Sequence, residues 1–182
     1  MKRLMFSVGV LLFILGHQTY AQKRIYSTKT SKVTLFLNST LQPIKATNNS
    51  VTSTFNSQTK VVSFLIPVKQ FQFNNPIMQQ PFNEVYLEAG KYPHSKFEGT
   101  VREKIDFKLT SPQKVTVVGY LNMHGVKKKR TIPAVIVVRN NKVITCRSSF
   151  DIKTTDHKIK IPTALFKNGK QVVRINLMVN YN

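Results

Sequence analysis

Few residues in this chain are of a type that does chemistry, and their spacing is uninviting. Beyond the first twenty residues the histidines are His94, His124 and His157 and Cys146 is the single cysteine, and over the whole chain seven carboxylates stand against 28 Lys and Arg. A protein metal site needs His, Cys or carboxylate ligands at spacings such as H-x-x-x-H or C-x-x-C, and neither occurs. A thiol becomes a nucleophile where a histidine or a cation lowers its pKa, and nothing near Cys146 in sequence offers that, so it is expected to pack as a small hydrophobe. Asp156 and His157 are adjacent, which on a strand directs the two side chains apart. No two acids read as a general acid and base. The expectation is a protein that is not an enzyme and that holds no metal and no cofactor. With one cysteine there is no internal disulfide, so stability has to come from burial and strand pairing.

The charge is lopsided, with a formal value of +21 and a sequence pI near 10.4. Such a field attracts anionic lipids, polysaccharides or nucleic acid without selecting among them. The basic residues are scattered; the one run is Lys127-Lys128-Lys129-Arg130, and the chain has no Trp. No basic and aromatic motif of an RNA- or DNA-binding module is present, which argues against a nucleic-acid partner. An anionic membrane or polysaccharide surface fits the charge, and a homo-oligomer stays open.

The first residues have the three parts of an export signal. Lys2 and Arg3 are the basic region, Leu4 to Leu15 the apolar stretch, and Thr19-Tyr20-Ala21 places small residues where a signal peptidase reads them. The apolar stretch is shorter than the roughly 20 residues that cross a bilayer. Residues 1–21 are therefore expected to be a signal peptide cleaved after Ala21, with 22–182 as one domain in the periplasm or secreted. No Cys near the cleavage site suggests lipidation. Loss of Lys2 and Arg3 lowers the formal charge from +21 to +19.

Downstream, apolar residues recur with period two. Val62, Phe64, Ile66 and Val68 alternate with Ser63, Leu65, Pro67 and Lys69, and Val173, Ile175, Leu177, Val179 and Tyr181 share one face of the last segment. Further strands are expected at Val33 to Leu37, Val51 to Phe55, Phe97 to Val101, Ile105 to Leu109, Val115 to Leu121, Ile132 to Val138 and Val143 to Phe150. Turn signals fall at Asn48-Asn49, Ser111-Pro112, Asn140-Asn141 and Asn168-Gly169. About eight or nine strands in one domain imply an all-β fold, a closed antiparallel barrel, with a two-sheet sandwich as the alternative. One stretch departs from the pattern. From Asn74 to Gly90, Met78, Phe82, Val85 and Tyr86 fall at helical spacing, Pro81 suits a first turn and Gly90 a C-terminal cap. This predicts a short helix near one barrel opening.

Three segments carry a resemblance. Tyr86-Leu87-Glu88-Ala89-Gly90-Lys91-Tyr92-Pro93 followed by Phe97-Glu98-Gly99, then Leu121-Asn122-Met123-His124-Gly125-Val126, then Phe150-Asp151-Ile152 with Asp156-His157-Lys158-Ile159, Ile161 and Pro162, resemble in order the motifs of the YceI-like family. The resemblance spans residues 74 to 182. It implies a lipocalin-like barrel whose long apolar cavity holds an isoprenoid or other lipid chain. Phe64, Ile66, Phe71, Phe73, Phe97 and Leu121 are then the candidate lining, with Met78, Phe82 and Val85 on the helix as a lid and Phe82 as its central residue. Tyr92, Pro93, Gly99, His124, Gly125, Phe150 and Pro162 are expected to be structural. Tyr86, Tyr92 and Pro93 are expected to seal the corner between helix and strand, and His124 to bond neighbouring backbone in a turn. Pro81 and Val85 stand where relatives often carry polar residues, and the basic run follows the H-G-V turn. Those departures bear on the ligand more than on the fold.

The leading functional expectation is an exported binding protein, a carrier or store for a polyisoprenoid, quinone or fatty-acyl amphiphile. The alternative is a basic envelope protein that binds anionic polymers or membrane surfaces with a barrel packed solid by its own side chains, since twelve Phe could fill a small barrel. A hydrolase or lyase acting on a lipid-like substrate lacks its nucleophile and base. Mass analysis of the protein from its native cells is expected to find Gln22 at the N-terminus; an intact Met1 on a cytoplasmic pool would contradict export.

Overall fold

A computed structural model describes residues 25–40 and 43–181, so the expected signal peptide and its cleavage site lie outside the described residues. Nine strands form one antiparallel sheet: β1 (Ile25–Leu37), β2 (Ile44–Asn56), β3 (Val61–Pro67), β4 (Gln72–Phe73), β5 (His94–Val101), β6 (Gln113–Met123), β7 (Val126–Arg139), β8 (Lys142–Lys153) and β9 (Val172–Asn180). The order is β1-β9-β8-β7-β6-β5-β3-β2, and β2 pairs back onto β1. Eight strands thus close into a barrel, and β4 is a two-residue spur on β2, with Phe73 opposite Ala46. Each long strand has two partners, which rules out two separate sheets and leaves no long free edge.

The period-two pattern acts as expected. Along β5 exposed and buried residues alternate one by one from His94 to Val101. On β6 and β7 the inward residues are Val115, Val117 and Leu121, and Ile132, Ala134, Ile136 and Val138. Gly99 faces Gly119 across the β5–β6 pair. A Cβ on Gly119 would come within 2.4 Å of the Gly99 Cα, so only bare backbone permits this approach. A Cβ on Gly99 would meet the Phe97 ring at 2.9 Å.

Two local expectations are corrected and a third is met. Ile105 to Leu109 is not a strand but part of the loop between β5 and β6. There the Asp106 carboxylate accepts from the Lys108 N–H at 2.8 Å, and Gln113 both accepts from the Asp106 N–H (3.0 Å) and donates to its carbonyl (2.7 Å). Side chains that satisfy the backbone in this way compete with a ladder. Asn48-Asn49 is not a turn, because β2 runs through it. Asn48 is fully buried, donating to the Pro67 carbonyl at 2.7 Å and accepting from the Ser50 N–H at 2.8 Å. It serves the stretch where the β1–β2 register shifts on either side of Ser31. Asn140-Asn141 does turn, both residues taking the left-handed angles of a tight hairpin (φ 49° and 57°).

The helical stretch begins at Pro76 rather than Pro81. Asn75 caps it by accepting from the Ile77 N–H at 3.1 Å. A 3-10 turn, Pro76–Met78, leads into one α-turn, Gln79–Pro81, and then a wider π-type turn, Phe82–Tyr86, closed by Leu87 N–H to the Phe82 carbonyl at 3.0 Å. Pro81 cannot donate a helical hydrogen bond, and the wider pairing starts just after it. Glu88, not Gly90, takes the left-handed angle that ends the segment (φ 43°).

Strand directions put this segment, the Met123–Val126 hairpin, residues 154–171 and the β1–β2 connection at one end of the barrel. A polar cluster ties them together. The histidines that looked isolated in sequence meet here: His124 Nδ1 lies 3.1 Å from the His157 carbonyl and its Nε2 lies 2.5 Å from Glu88 Oε2. This exceeds the local turn contact expected of His124, which does sit in a turn at φ 52°. Both ring nitrogens of His124 thus face oxygen atoms. His157 faces one acceptor and one donor. Its Nδ1 faces the Val126 carbonyl at 3.1 Å, an acceptor, and its Nε2 faces Arg130 Nη2 at 3.1 Å, a donor. Only the neutral ring with hydrogen on Nδ1 satisfies both. Arg130 also donates to Asp156 at 2.9 Å. Asp156 and His157 therefore act on one partner, because Thr154–His157 is a 3-10 turn and not the strand that would have parted them.

Burial holds His157 below the ordinary histidine pKa, and the Arg130 charge lowers it further. A histidine with a depressed folded pKa adds stability above its unfolded value and loses it as the ring is forced to take a proton. Unfolding free energy is thus expected to fall as pH drops below 6.5. In His157→Gln that portion of the slope is expected to vanish, leaving the loss that begins below 3.8, where the unfolded chain takes up a proton at Asp151 that its bond to Arg174 resists in the fold. Denaturant unfolding from pH 7.5 to 5 checks this; an identical slope in the variant would contradict it.

Candidate functional site

The inward faces of the eight strands do not meet at the barrel axis. They enclose a cavity of about 120 Å³ whose walls include Phe64, Ile66, Phe71, Phe97, Leu121 and Phe150. By the same measure a single water needs roughly 10–15 Å³, so the barrel is hollow, and so apolar a space stays dry. A second compartment of about 90 Å³ lies under the helical segment, walled by Phe73, Met78 and Phe82 among others. Leu35, Leu87, Met123, Ile152 and Ile175 border both, so the two adjoin.

Of the nine candidate ligand-contacting residues, eight border one compartment or the other. Val85 does not. It is 65% exposed and points to solvent. The cause is the wider turn after Phe82, which carries the inward position past Val85 to Leu87. Leu87 is buried and borders both compartments. A periodicity of 3.6 could not find it, since the shift arises only where pairing changes from i−4 to i−5. Phe82 is buried as the centre of an aromatic group, edge-on to Phe73 at 4.7 Å and to Phe71 at 5.7 Å between ring centres.

Polar atoms at the main cavity are few and largely engaged. Ser148 donates to the Pro133 carbonyl at 2.6 Å, and the Tyr181 and Ser53 hydroxyls lie 2.8 Å apart. Burial pushes the Tyr181 hydroxyl up and the Cys146 thiol up to about 11, so neither carries charge near neutral pH. Cys146 borders the cavity as a neutral thiol, in keeping with its reading as a small hydrophobe. Among the described residues, no group of three or more His, Cys, Asp or Glu could hold a metal.

The motif residues cluster beside the cavity. The Tyr92 ring stands edge-on to His124 at 4.8 Å. A Cβ on Gly125 (φ 72°) would strike Tyr92 at 2.7 Å, so the close turn there needs glycine. Pro93 is exposed rather than sealing the corner, its carbonyl accepting from the Val68 N–H at 2.9 Å, while Tyr86 borders the outer compartment. Pro162 is exposed and opens the 3-10 turn Thr163–Leu165.

Comparison with known proteins agrees with this architecture. A polyisoprenoid-binding domain from Saccharophagus degradans is 11% identical and superposes with a TM-score of 0.70, covering 88% of this chain and 99% of that one. BcnA of Burkholderia cenocepacia is 17% identical with a TM-score of 0.63, over 82% of this chain and 96% of its own. The YCEI protein of Campylobacter jejuni is 18% identical with a TM-score of 0.56, over 100% and 99% of the two chains. At these identities the likeness is one of fold. No curated protein sequence matches the chain. The family model of the YceI-like domain matches residues 25–181, from the first residue of β1 to the residue after β9, and the chain belongs to that family.

Proposed function

We propose that the protein is an exported carrier or store that holds a lipid-like amphiphile, such as a polyisoprenoid, a quinone or a fatty-acyl lipid, with its tail inside the barrel. The observation that carries this reading is the dry, uncharged space along the barrel interior, continued by the compartment under the lid. A chain placed there gains roughly 0.8 kcal/mol for each CH₂ removed from water, before the cost of ordering it. A lining of this kind fits isoprene and acyl chains alike, which is why the ligand is named by class. The polyisoprenoid binding of the Saccharophagus domain supports the same class for this chain.

The reading of a solid-packed barrel finds less support, because the phenylalanines leave the axis open. Catalysis is not part of the proposal. His124 and His157 are engaged in the polar cluster, and Cys146 is held as a thiol. No cofactor beyond the bound lipid is invoked. The periplasm or the exterior is the proposed location, on the strength of the N-terminal signal pattern, and the net basic charge favours contact with anionic envelope surfaces.

Phe82 provides the test. Phe82→Asp places a carboxylate against the tail at a cost of several kcal/mol, so the amount of amphiphile extracted from natively purified protein is expected to fall by roughly tenfold or more. Phe82→Leu keeps most of the apolar area and is expected to stay near wild type. Lys128→Asp, exposed on β7, serves as the control and is expected to leave occupancy unchanged. Equal occupancy in wild type and a folded Phe82→Asp would contradict the role of the lid.

A further inference from the structure

The two ends of the barrel differ in what they offer a partner. At the lid end, Ile77 and Val85 are 80% and 65% exposed, while Met78, Phe82 and Leu87 of the same segment turn inward onto the outer compartment. Lys45, Lys91, Lys127, Lys158, Lys160 and Lys167 are all exposed at this end. Lys45 is the second residue of β2 and its carbonyl accepts from the Asn74 N–H at the root of the lid (3.0 Å), and Lys91 lies a few residues beyond the lid. Four acids lie at or near this end, and three are already engaged, Glu88 with His124, Asp156 with Arg130 and Asp151 with Arg174. Glu84, accepting from Gln80 at 3.0 Å, is the fourth. At the opposite end six basic residues are exposed as well (Arg102, Lys104, Lys108, Lys114, Arg139 and Lys142), and Ile25 and Leu109 are 58% and 45% exposed. There, however, the loop 102–112 covers the barrel with Ile105 buried and no second compartment borders the described residues, so the difference lies in the compartment behind the exposed apolar pair.

We propose that the lid end docks on an anionic lipid bilayer, with Ile77 and Val85 entering the boundary between headgroups and acyl chains and the surrounding lysines facing lipid phosphates. The proposal deepens the carrier reading and rests on it for the reason a bilayer is visited. A soluble anionic polysaccharide would satisfy the lysines equally well. Two large apolar side chains standing in water gain nothing from such a polymer, whereas burial at a bilayer interface rewards them. The geometry has a consequence for transfer. Docked this way, the compartment under Phe82 abuts the membrane, and a tail moves between bilayer and barrel past the lid without crossing bulk water.

The absence of Trp makes the test direct. Ile77→Trp and Val85→Trp, each at an exposed position, introduce a single tryptophan on the outer face of the lid, and Leu109→Trp introduces one at the far end, where Leu109 is 45% exposed. With vesicles of phosphatidylglycerol and phosphatidylcholine, both lid tryptophans are expected to emit at shorter wavelength and to be quenched by brominated acyl chains. Leu109→Trp is expected to do neither, and phosphatidylcholine alone is expected to have little effect. A far-end tryptophan quenched as strongly would overturn the proposal. So would lid tryptophans left unquenched while the protein sediments with the vesicles, or an equal spectral shift with dextran sulfate. The double variant Ile77→Asp, Val85→Asp is expected to lower the vesicle-bound fraction by about tenfold and to retain wild-type levels of extractable amphiphile. A bound fraction equal to wild type would count against the proposal. A wild type that yields no amphiphile would instead refute the carrier reading, and the tryptophan signals would still decide docking.

Discussion

Ring closure of the sheet is the constraint on which the rest of the structure depends. Once β2 is hydrogen-bonded back to β1, every long strand has two neighbours, and its side chains are divided between solvent and a shared interior. Strand alternation then makes the interior apolar without further instruction. Whether that interior is filled depends on the size of the inward residues and the girth of the ring. Here eight strands leave an open axis even though Phe64, Phe97 and Phe150 point at it.

At its far end the barrel is covered by a loop whose one buried apolar side chain is Ile105 among residues 102–109. At the other end closure depends on a set of specific contacts. The lid is fixed at its root by Asn74 and Lys45, on its inner face by the edge-on rings of Phe71, Phe73 and Phe82, and at its end by Glu88 bonded to His124. His157 extends that last contact to Val126 and Arg130, so one polar network joins the lid, the β6–β7 hairpin and the turn after β8. The two histidines face different partners: both ring nitrogens of His124 meet oxygen atoms, and His157 stays neutral between an acceptor and a donor. In a fold with little polar interior, this network gives the lid a defined seat.

The barrel was legible because a strand declares its faces in sequence. The alternation at Val62 to Val68 and Val173 to Tyr181, and the Asn140-Asn141 hairpin, each have a local cause that sequence displays. Ile105 to Leu109 misled because Ile105, Phe107 and Leu109 do alternate with Asp106 and Lys108 as a strand would, and the hydrogen bonds of Asp106 and Gln113 that hold the segment as a loop are invisible until it is folded. Asn48 misled for a similar reason, being a turn former used inside a bulged strand to satisfy backbone groups. At the site, the inward residues of strands were legible, whereas Val85 and Leu87 exchanged roles because the helix widens after Pro81. The meeting of Glu88, His124, Arg130, Asp156 and His157 joins residues from four parts of the chain, and no local pattern foretells it. The shared motifs pointed to the region and left the contacts to be found.

The central claim is that the space along the barrel axis is where a lipid chain lies. Isotope-filtered NMR tests it most directly, with the protein carrying labelled Val, Leu and Ile methyls and the co-purified amphiphile unlabelled. The account predicts contacts between the ligand chain and Val117, Ile132 and Ile136 in the inner compartment, and Leu87 and Ile159 under the lid, all of which border one space or the other. Contacts confined to exposed Val85, Ile77 and Leu109, with the interior methyls untouched, would place the lipid on the outside of the barrel and contradict it.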